Sequence, residues 1–247
     1  MTSIIAHRGA SHYAPENSIP AFELAHEMKA DGIETDVQLT KDNIPVLFHD
    51  ESLKRIFGIN GWINQYTLLE LKQLDMGKSF HEKFAGTSIV TLEEFLVWVK
   101  DKPLTLHLEL KNNKMAHKNL EKITYNLIAQ HQLLDKTYFS TFSDASVSCL
   151  AGFQEIAHIG WLTSRQRRDL LSYALSIGAT AIHIKHTLLR QRLVKEAKKN
   201  GIPVRVYTVN SSRLLHRCFS YNVDSIFTNV PDQAFVIRKD IYRRFLV

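Results

Sequence analysis

Short apolar or β-branched runs alternate along this chain with longer segments whose apolar positions recur at helical spacing. The runs are Ser3–Ala6, Gly32–Leu39, Leu104–Leu110, Thr137–Ser140, Glu155–Gly160, Ala179–Ile184, Pro203–Tyr207 and Asp224–Phe227. Between them, helical spacing marks Ser18–Ala30, Leu92–Val99, His117–His131, Asp144–Ala151, Arg165–Ser176, Leu188–Asn200, Ser212–Ser220 and Pro231–Phe245. Local signals agree with these bounds. Thr91 and Glu94 have capping-box spacing at a helix start, and Asn200-Gly201 is a left-handed-capable pair at a helix end. A helix between successive strands predicts parallel pairing through helical crossovers. Eight such units predict an α/β fold, a closed (β/α)8 TIM barrel. An open doubly wound sheet is the alternative architecture, but its glycine-rich phosphate-binding turn is missing.

One stretch breaks the alternation. Residues from about 43 to 90 hold a short strand, Ile44–His49, and a polar excursion through Gly58, Gly61, Gly77 and Gly86. It is too long for an ordinary strand–helix loop, and loops of that length are commonly functional. The pattern predicts a small insertion after the second strand, over the mouth of the barrel. The whole of 1–247 is then one barrel domain.

Composition narrows the class. The chain has 247 residues, 45% hydrophobic and 23% charged, which is enough apolar material for a sizeable core and excludes a disordered chain. Cys149 and Cys218 are too few for a disulfide framework or a cysteine-rich zinc site, and fit a reducing compartment. No apolar run reaches the roughly 18 residues of a membrane span, and the N-terminus lacks a basic leader segment. A soluble, cytoplasmic protein with no stable membrane insertion is expected.

Lys plus Arg exceed Asp plus Glu by 31 to 25. Small basic groups stand at Arg165/Arg167/Arg168, Lys195/Lys198/Lys199 and Arg243/Arg244, where solvated helix faces and helix C-termini account for them. A nucleic-acid partner would need a concentrated basic stripe with interleaved aromatics, and none is expected. An anionic small-molecule substrate is compatible with the balance.

Three strand ends concentrate acids, bases and charge. His7-Arg8-Gly9 follows the first strand, where the glycine lets the backbone turn and His7 and Arg8 face the space above the barrel. Pro15-Glu16-Asn17 follows and reads as a helix start with a cap. In the second strand, Glu34 and Asp36 are two apart and so share a face. Two carboxylates on a buried strand repel unless a proton or cation lies between them, and a hard cation such as Mg2+ or Ca2+ suits them. Glu109 and Lys111 repeat the arrangement on the third strand, and a Glu–Lys ion pair closing the barrel is the plainer reading of that segment alone. His49-Asp50 ends the insertion's strand and supplies a second histidine with a carboxylate to orient its ring. Two histidines, three carboxylates, an arginine and a lysine on one rim suit displacement at a phosphodiester. Cations neutralise the phosphate, and two acid/base groups serve the nucleophile and the leaving alkoxide.

The ordered set His7-Arg8-Gly9, Pro15-Glu16-Asn17-Ser18, Glu34-Thr35-Asp36-Val37, His49-Asp50 with Leu53 and Arg55, and Glu109-Leu110-Lys111 resembles the glycerophosphodiester phosphodiesterase family. Thr91-Leu92-Glu93-Glu94, Val206-Tyr207-Thr208-Val209-Asn210 and Asp224-Ser225-Ile226-Phe227-Thr228-Asn229 extend the resemblance over nearly the whole chain. It implies a (β/α)8 barrel with an insertion after the second strand. It further implies one divalent cation, Mg2+ or Ca2+, held by Glu34, Asp36 and Glu109. His7 and His49 become the general acid/base pair, Arg8 and Lys111 the phosphate ligands. The implied substrate is a small glycerophosphodiester, cleaved to sn-glycerol 3-phosphate and an alcohol such as choline or ethanolamine. Water or the glycerol 2-hydroxyl, through a cyclic phosphate, makes the attack. Two positions depart from the family. Tyr207 stands where many members have tryptophan, which makes the wall beside the substrate smaller and more polar. Ser18 keeps a helix-capping hydroxyl. Two alternatives are a lysophospholipase D with Phe57, Ile59, Trp62, Ile63 and Tyr66 facing lipid, and a non-catalytic phosphodiester-binding barrel.

Overall fold

The computed structural model describes residues 1–153 and 158–243. Eight parallel strands close on themselves: β1 (Ser3–His7), β2 (Gly32–Leu39), β5 (Thr105–Leu110), β6 (Thr137–Thr141), β7 (Ile159–Thr163), β8 (Ala181–Lys185), β9 (Val204–Tyr207) and β10 (Ser225–Thr228). Closure runs through β1, which pairs with β10 from Ser3↔Ser225 and with β2 from Ile5↔Gly32. All eight residues of β2 are buried, as a parallel strand covered on both faces requires. Helices α1 (Ile19–Glu27), α4 (Leu92–Val99), α5 (Leu120–Gln130), α6 (Asp144–Ala151), α7 (Leu170–Ser176), α8 (Gln191–Lys199), α9 (Ser212–Tyr221) and α10 (Pro231–Arg243) follow the strands. The main apolar cluster lies between barrel and helices.

Local chemistry sets the bounds. Thr91 accepts from the Glu94 amide at 3.1 Å while Glu94 accepts from the Thr91 amide at 2.7 Å, a closed capping box that starts α4. Asn119 is left-handed (φ 63°), so α5 begins three residues after the expected His117. The exposed charged stretch from Arg165 to Asp169 has no apolar anchor, and α7 therefore starts only at Leu170. Similarly, a 3-10 turn over His186–Leu188 delays α8 to Gln191.

One strand is displaced from its expected place. The run Glu155–Gly160 falls partly on residues 155–157, outside the described residues, and β7 occupies Ile159–Thr163. Trp161 and Leu162 are buried, and the β7 ladder extends to Thr163 opposite Ile184.

The segment from 43 to 90 leaves the barrel at the C-terminal end of β2. Strand β3 (Pro45–Leu47) pairs antiparallel with Val37–Leu39 and carries β4 (Val90–Thr91) on its other side. Short helices α2 (Lys54–Phe57) and α3 (Leu68–Lys72) complete it. It owns a separate apolar cluster of Val46, Phe48, Leu53, Ile63, Leu71 and Ile89. Phe57, Ile59 and Tyr66 pack against that cluster and Ile63 is part of it, so of the five residues considered for lipid only Trp62 is exposed.

Candidate active site

The site is assembled where β1, β2 and β5 end and the insertion returns. Arg8 is left-handed (φ 57°), followed by Gly9 (φ 79°), so the chain turns sharply out of β1. A side chain on Gly9 would meet Ala21 at 2.7 Å, which leaves glycine as the residue that fits. The turn is pinned by the Arg8 amide, which donates to the Glu34 carbonyl at 2.8 Å and to Glu34 Oε2 at 3.0 Å. A strained arginine at this position is the kind of backbone cost that clusters at functional sites.

Glu34, Asp36 and Glu109 are all buried, and one carboxylate oxygen from each lies within 4.8 Å of the others. Register explains the approach: β2 and β5 pair Asp36↔Glu109, and Glu34 lies two residues below Asp36 on the same inward face. Burial, then the charges of Asp36 and Glu109, push the Glu34 carboxyl well above its ordinary value. Asp36 goes the other way. Burial opposes its ionisation, but Arg8 and Lys111 outweigh it and hold the carboxylate low. Asp36 Oδ1 is buried and accepts no hydrogen bond among the described residues. Three clustered carboxylates, one orphaned oxygen and all-oxygen chemistry fit a hard divalent cation.

Two cations border this cluster. Lys111 Nζ donates to Glu109 at 2.8 Å and lies 3.6 Å from Asp36 Oδ1. Arg8 Nε lies 3.1 Å from Asp36 Oδ2 without the angle of a hydrogen bond, while its Nη1 donates to Glu16 at 3.1 Å. Burial works against the Arg8 charge, and Asp36, Glu16 and Glu34 more than restore it.

His7 closes one side. Its Nδ1 lies 2.8 Å from Asn229 Oδ1, so Nδ1 carries the proton and Nε2, 3.9 Å from Glu34, makes no hydrogen bond among the described residues. Burial, then Arg8, lower its pKa to about 3. His49 arrives just after β3, its Nδ1 2.6 Å from Asp50. It is near enough for its charge to act on both His7 and Asp36. Arg55 in α2 holds Asp50 from behind and reaches Glu16 at 2.6 and 3.0 Å. The insertion is thereby tied to the loop after β1. Tyr207 ends β9, its hydroxyl buried without a hydrogen-bond partner among the described residues, and burial and then Glu109 push its pKa up. All eight residues singled out in the sequence are therefore linked to one another by contact or by charge around the carboxylate cluster.

Three residues read as local structure, or given no role, prove to be part of the site. Asn17 is not a helix cap: Ser18 takes that position and accepts from the Ala21 amide. Asn17 is instead buried and left-handed (φ 55°), donating to Asp36 Oδ2 at 3.1 Å and accepting from Thr35 Oγ1 at 2.6 Å. Glu16 bridges Arg8 and Arg55, and Asn229 orients His7. The available signal was the asparagine itself, which tolerates left-handed backbone where most residues do not.

A closed parallel barrel whose mouth combines two histidines with a buried carboxylate cluster suits acid/base hydrolysis of phosphoric diesters. The chain matches the Glycerophosphoryl diester phosphodiesterase family over residues 7–233. It is 35% identical over 231 residues to a glycerophosphodiester phosphodiesterase of Caldanaerobacter subterraneus subsp. tengcongensis, covering 94% of this chain and 95% of that one. A glycerophosphodiester phosphodiesterase of Bacillus altitudinis is 34% identical over 244 residues, covering 98% and 100%. Among solved structures, an Oleispira antarctica phosphodiesterase in complex with the product sn-glycerol-3-phosphate superposes with a TM-score of 0.87 and 30% identity, covering 96% of each chain. The chain belongs to the glycerophosphodiester phosphodiesterase family, and its activity is hydrolysis of a phosphoric diester.

Proposed function

We propose that the protein cleaves small glycerophosphodiesters to sn-glycerol 3-phosphate and an alcohol, using a divalent cation held by Glu34, Asp36 and Glu109. The carrying observation is that buried carboxylate cluster, which lies within reach of two histidines. Charge supports it. Three carboxylates against Arg8 and Lys111 leave one negative charge, and a divalent ion turns this into one positive, the complement of a phosphodiester monoanion. A divalent cation held by these three carboxylates would supply Lewis-acid polarisation of the phosphoryl oxygen. Mg2+ and Ca2+ both suit an all-oxygen set.

Arg8 and Lys111 take the non-bridging phosphate oxygens, and Tyr207 forms the wall beside the leaving group. His7 and His49 each have Nδ1 engaged by a neighbour, which leaves Nε2 as the nitrogen through which each exchanges its proton. One activates the nucleophile and the other protonates the leaving alkoxide. The whole chain acts as a single catalytic unit, the insertion contributing His49. Two free cysteines suit a cytoplasmic location, and the substrate class places the enzyme in phospholipid headgroup turnover. Among the described residues no helix is long and apolar enough to cross a membrane.

The test is release of sn-glycerol 3-phosphate from glycerophosphocholine, followed with EDTA and after Mg2+ or Ca2+ is restored. Turnover should vanish with chelation, return with the metal, and fall about 10²- to 10⁴-fold in His7→Ala. Full turnover in EDTA, or an unchanged His7→Ala, overturns the assignment. Rapid-quench recovery of a cyclic glycerophosphate separates attack by the 2-hydroxyl from attack by water.

A further inference from the structure

The surplus positive charge is confined to one part of the chain. Residues 165–199 carry nine cations (Arg165, Arg167, Arg168, Lys185, Arg190, Arg192, Lys195, Lys198 and Lys199) against Asp169 and Glu196. That segment is net +7, whereas the chain is +6, so everything else sums to −1. The structure lays the segment out as α7, β8 and α8 with the loops that join them, and all nine cations are exposed. Only Arg167 makes an ion pair among the described residues, with Asp169 at 3.0 Å.

A groove of about 590 Å³ runs between α7 and α8 on the outer wall of the barrel. Its rim carries Arg168, Arg190 and Arg192, and its floor is made by side chains such as Leu171, Leu188 and Leu193. Leu175 stands half exposed at its edge. Guanidinium groups over a leucine floor match phosphate headgroups over acyl chains. Nucleic acid fits less well. The segment's tyrosine, Tyr173, is already held under Arg167 and against Asp144, which leaves no free ring for base stacking. The groove is separate from the catalytic mouth, and none of its residues belongs to the site described above.

We propose that the α7–α8 face docks the enzyme on anionic phospholipid bilayers while its substrate remains water-soluble. Polybasic surfaces gain about fivefold in affinity for each cation brought near an anionic leaflet. Attraction of this kind is screened by salt. Surface attachment would hold the enzyme where deacylated headgroups are released, without any membrane-spanning element.

The experiment is co-sedimentation of the full chain with vesicles of phosphatidylcholine alone and of phosphatidylcholine mixed with phosphatidylglycerol. Binding is expected to the mixed vesicles alone, and to weaken as NaCl rises to about 0.5 M. The triple variant Arg168→Glu/Arg190→Glu/Arg192→Glu should lose at least about 100-fold in vesicle affinity. Its turnover of soluble glycerophosphocholine should stay within about twofold of wild type, which also reports that it folds. Failure to bind anionic vesicles overturns the proposal, as do equal binding to neutral ones and binding that survives high salt. Preferential capture of a short DNA duplex over the mixed vesicles overturns it too, in favour of a nucleic-acid surface. None of these results bears on the catalytic assignment, which chelation tests separately.

Discussion

At the mouth of the barrel, Arg8 and Lys111 lie against carboxylates. One layer down, Arg205 is buried like Lys111 and more deeply than Arg8, and makes no ion pair among the described residues. Its guanidinium bonds to His183 Nε2 at 3.0 Å and lies over the Tyr138 ring at 4.8 Å. His107 stacks on the other ring neighbours of this layer, 4.5 Å from Tyr138 and edge-on to Phe227. Burial, then Arg205, hold both His107 and His183 well below the ordinary histidine value, so both are neutral. The two layers teach how differently a barrel interior tolerates charge. At the mouth like charges are crowded, a costly arrangement that a substrate and a cation can turn to use. At the waist a permanent cation is surrounded by π-faces and a neutral acceptor, and nothing there is available to react.

The largest test of this contrast is Glu34→Gln. Removing this carboxyl should cut kcat/KM by about 10²-fold or more while raising the melting temperature in EDTA, because the fold no longer has to hold beside Asp36 and Glu109 a group that resists ionisation. A lower melting temperature would mean the mouth is built for stability like the waist. Asn17→Ala comes next. It removes a donor to Asp36 and should lower activity by about 10- to 100-fold, the range for groups that orient metal ligands, with a weaker apparent affinity for the cation.

Acid should act on the waist. A histidine held neutral in the fold but free to protonate when unfolded means that the unfolded state binds more protons at low pH. Stability is therefore full above about pH 6.5 and declines below it, by up to about 1.4 kcal/mol per pH unit for each such group. Urea melts from pH 7.5 to 5 should show a shallower decline in His107→Gln/His183→Gln than in wild type; equal slopes would assign the acid sensitivity elsewhere. The smallest effect is expected for Arg205→Met. Apolar replacement of a buried charge is commonly neutral or mildly stabilising, so kcat/KM should hold within about twofold and stability should not fall. A large loss of either would show the waist cation acting on the mouth.

Much of this was legible in the chain. Gly32–Leu39, Leu92–Val99 and Asp144–Ala151 occupy the bounds that periodicity assigned, since in each the apolar spacing and the terminal signals agree. Glu34 and Asp36 could be put on one face from strand parity, whereas Glu109 joined them only through the family resemblance, because the register that sets it opposite Asp36 belongs to the paired strands. The waist could not. His107, His183 and Arg205 are isolated polar residues on apolar strands, and only closure of the barrel brings β5, β8 and β9 together. Asn17 was obscured for a related reason: a loop asparagine beside a helix start looks like a cap until the second strand is placed beneath it.

The waist has a further effect through Gly160, where a Cβ would collide with the His183 ring at 2.3 Å. The imidazole fills the space that a side chain would have taken, and with His107, Arg205 and Phe227 it stoppers the bore. The catalytic chamber is a dead end. Both fragments of a cleaved diester must leave by the door through which the intact molecule came in, and a lingering phosphate fragment keeps the next molecule waiting outside.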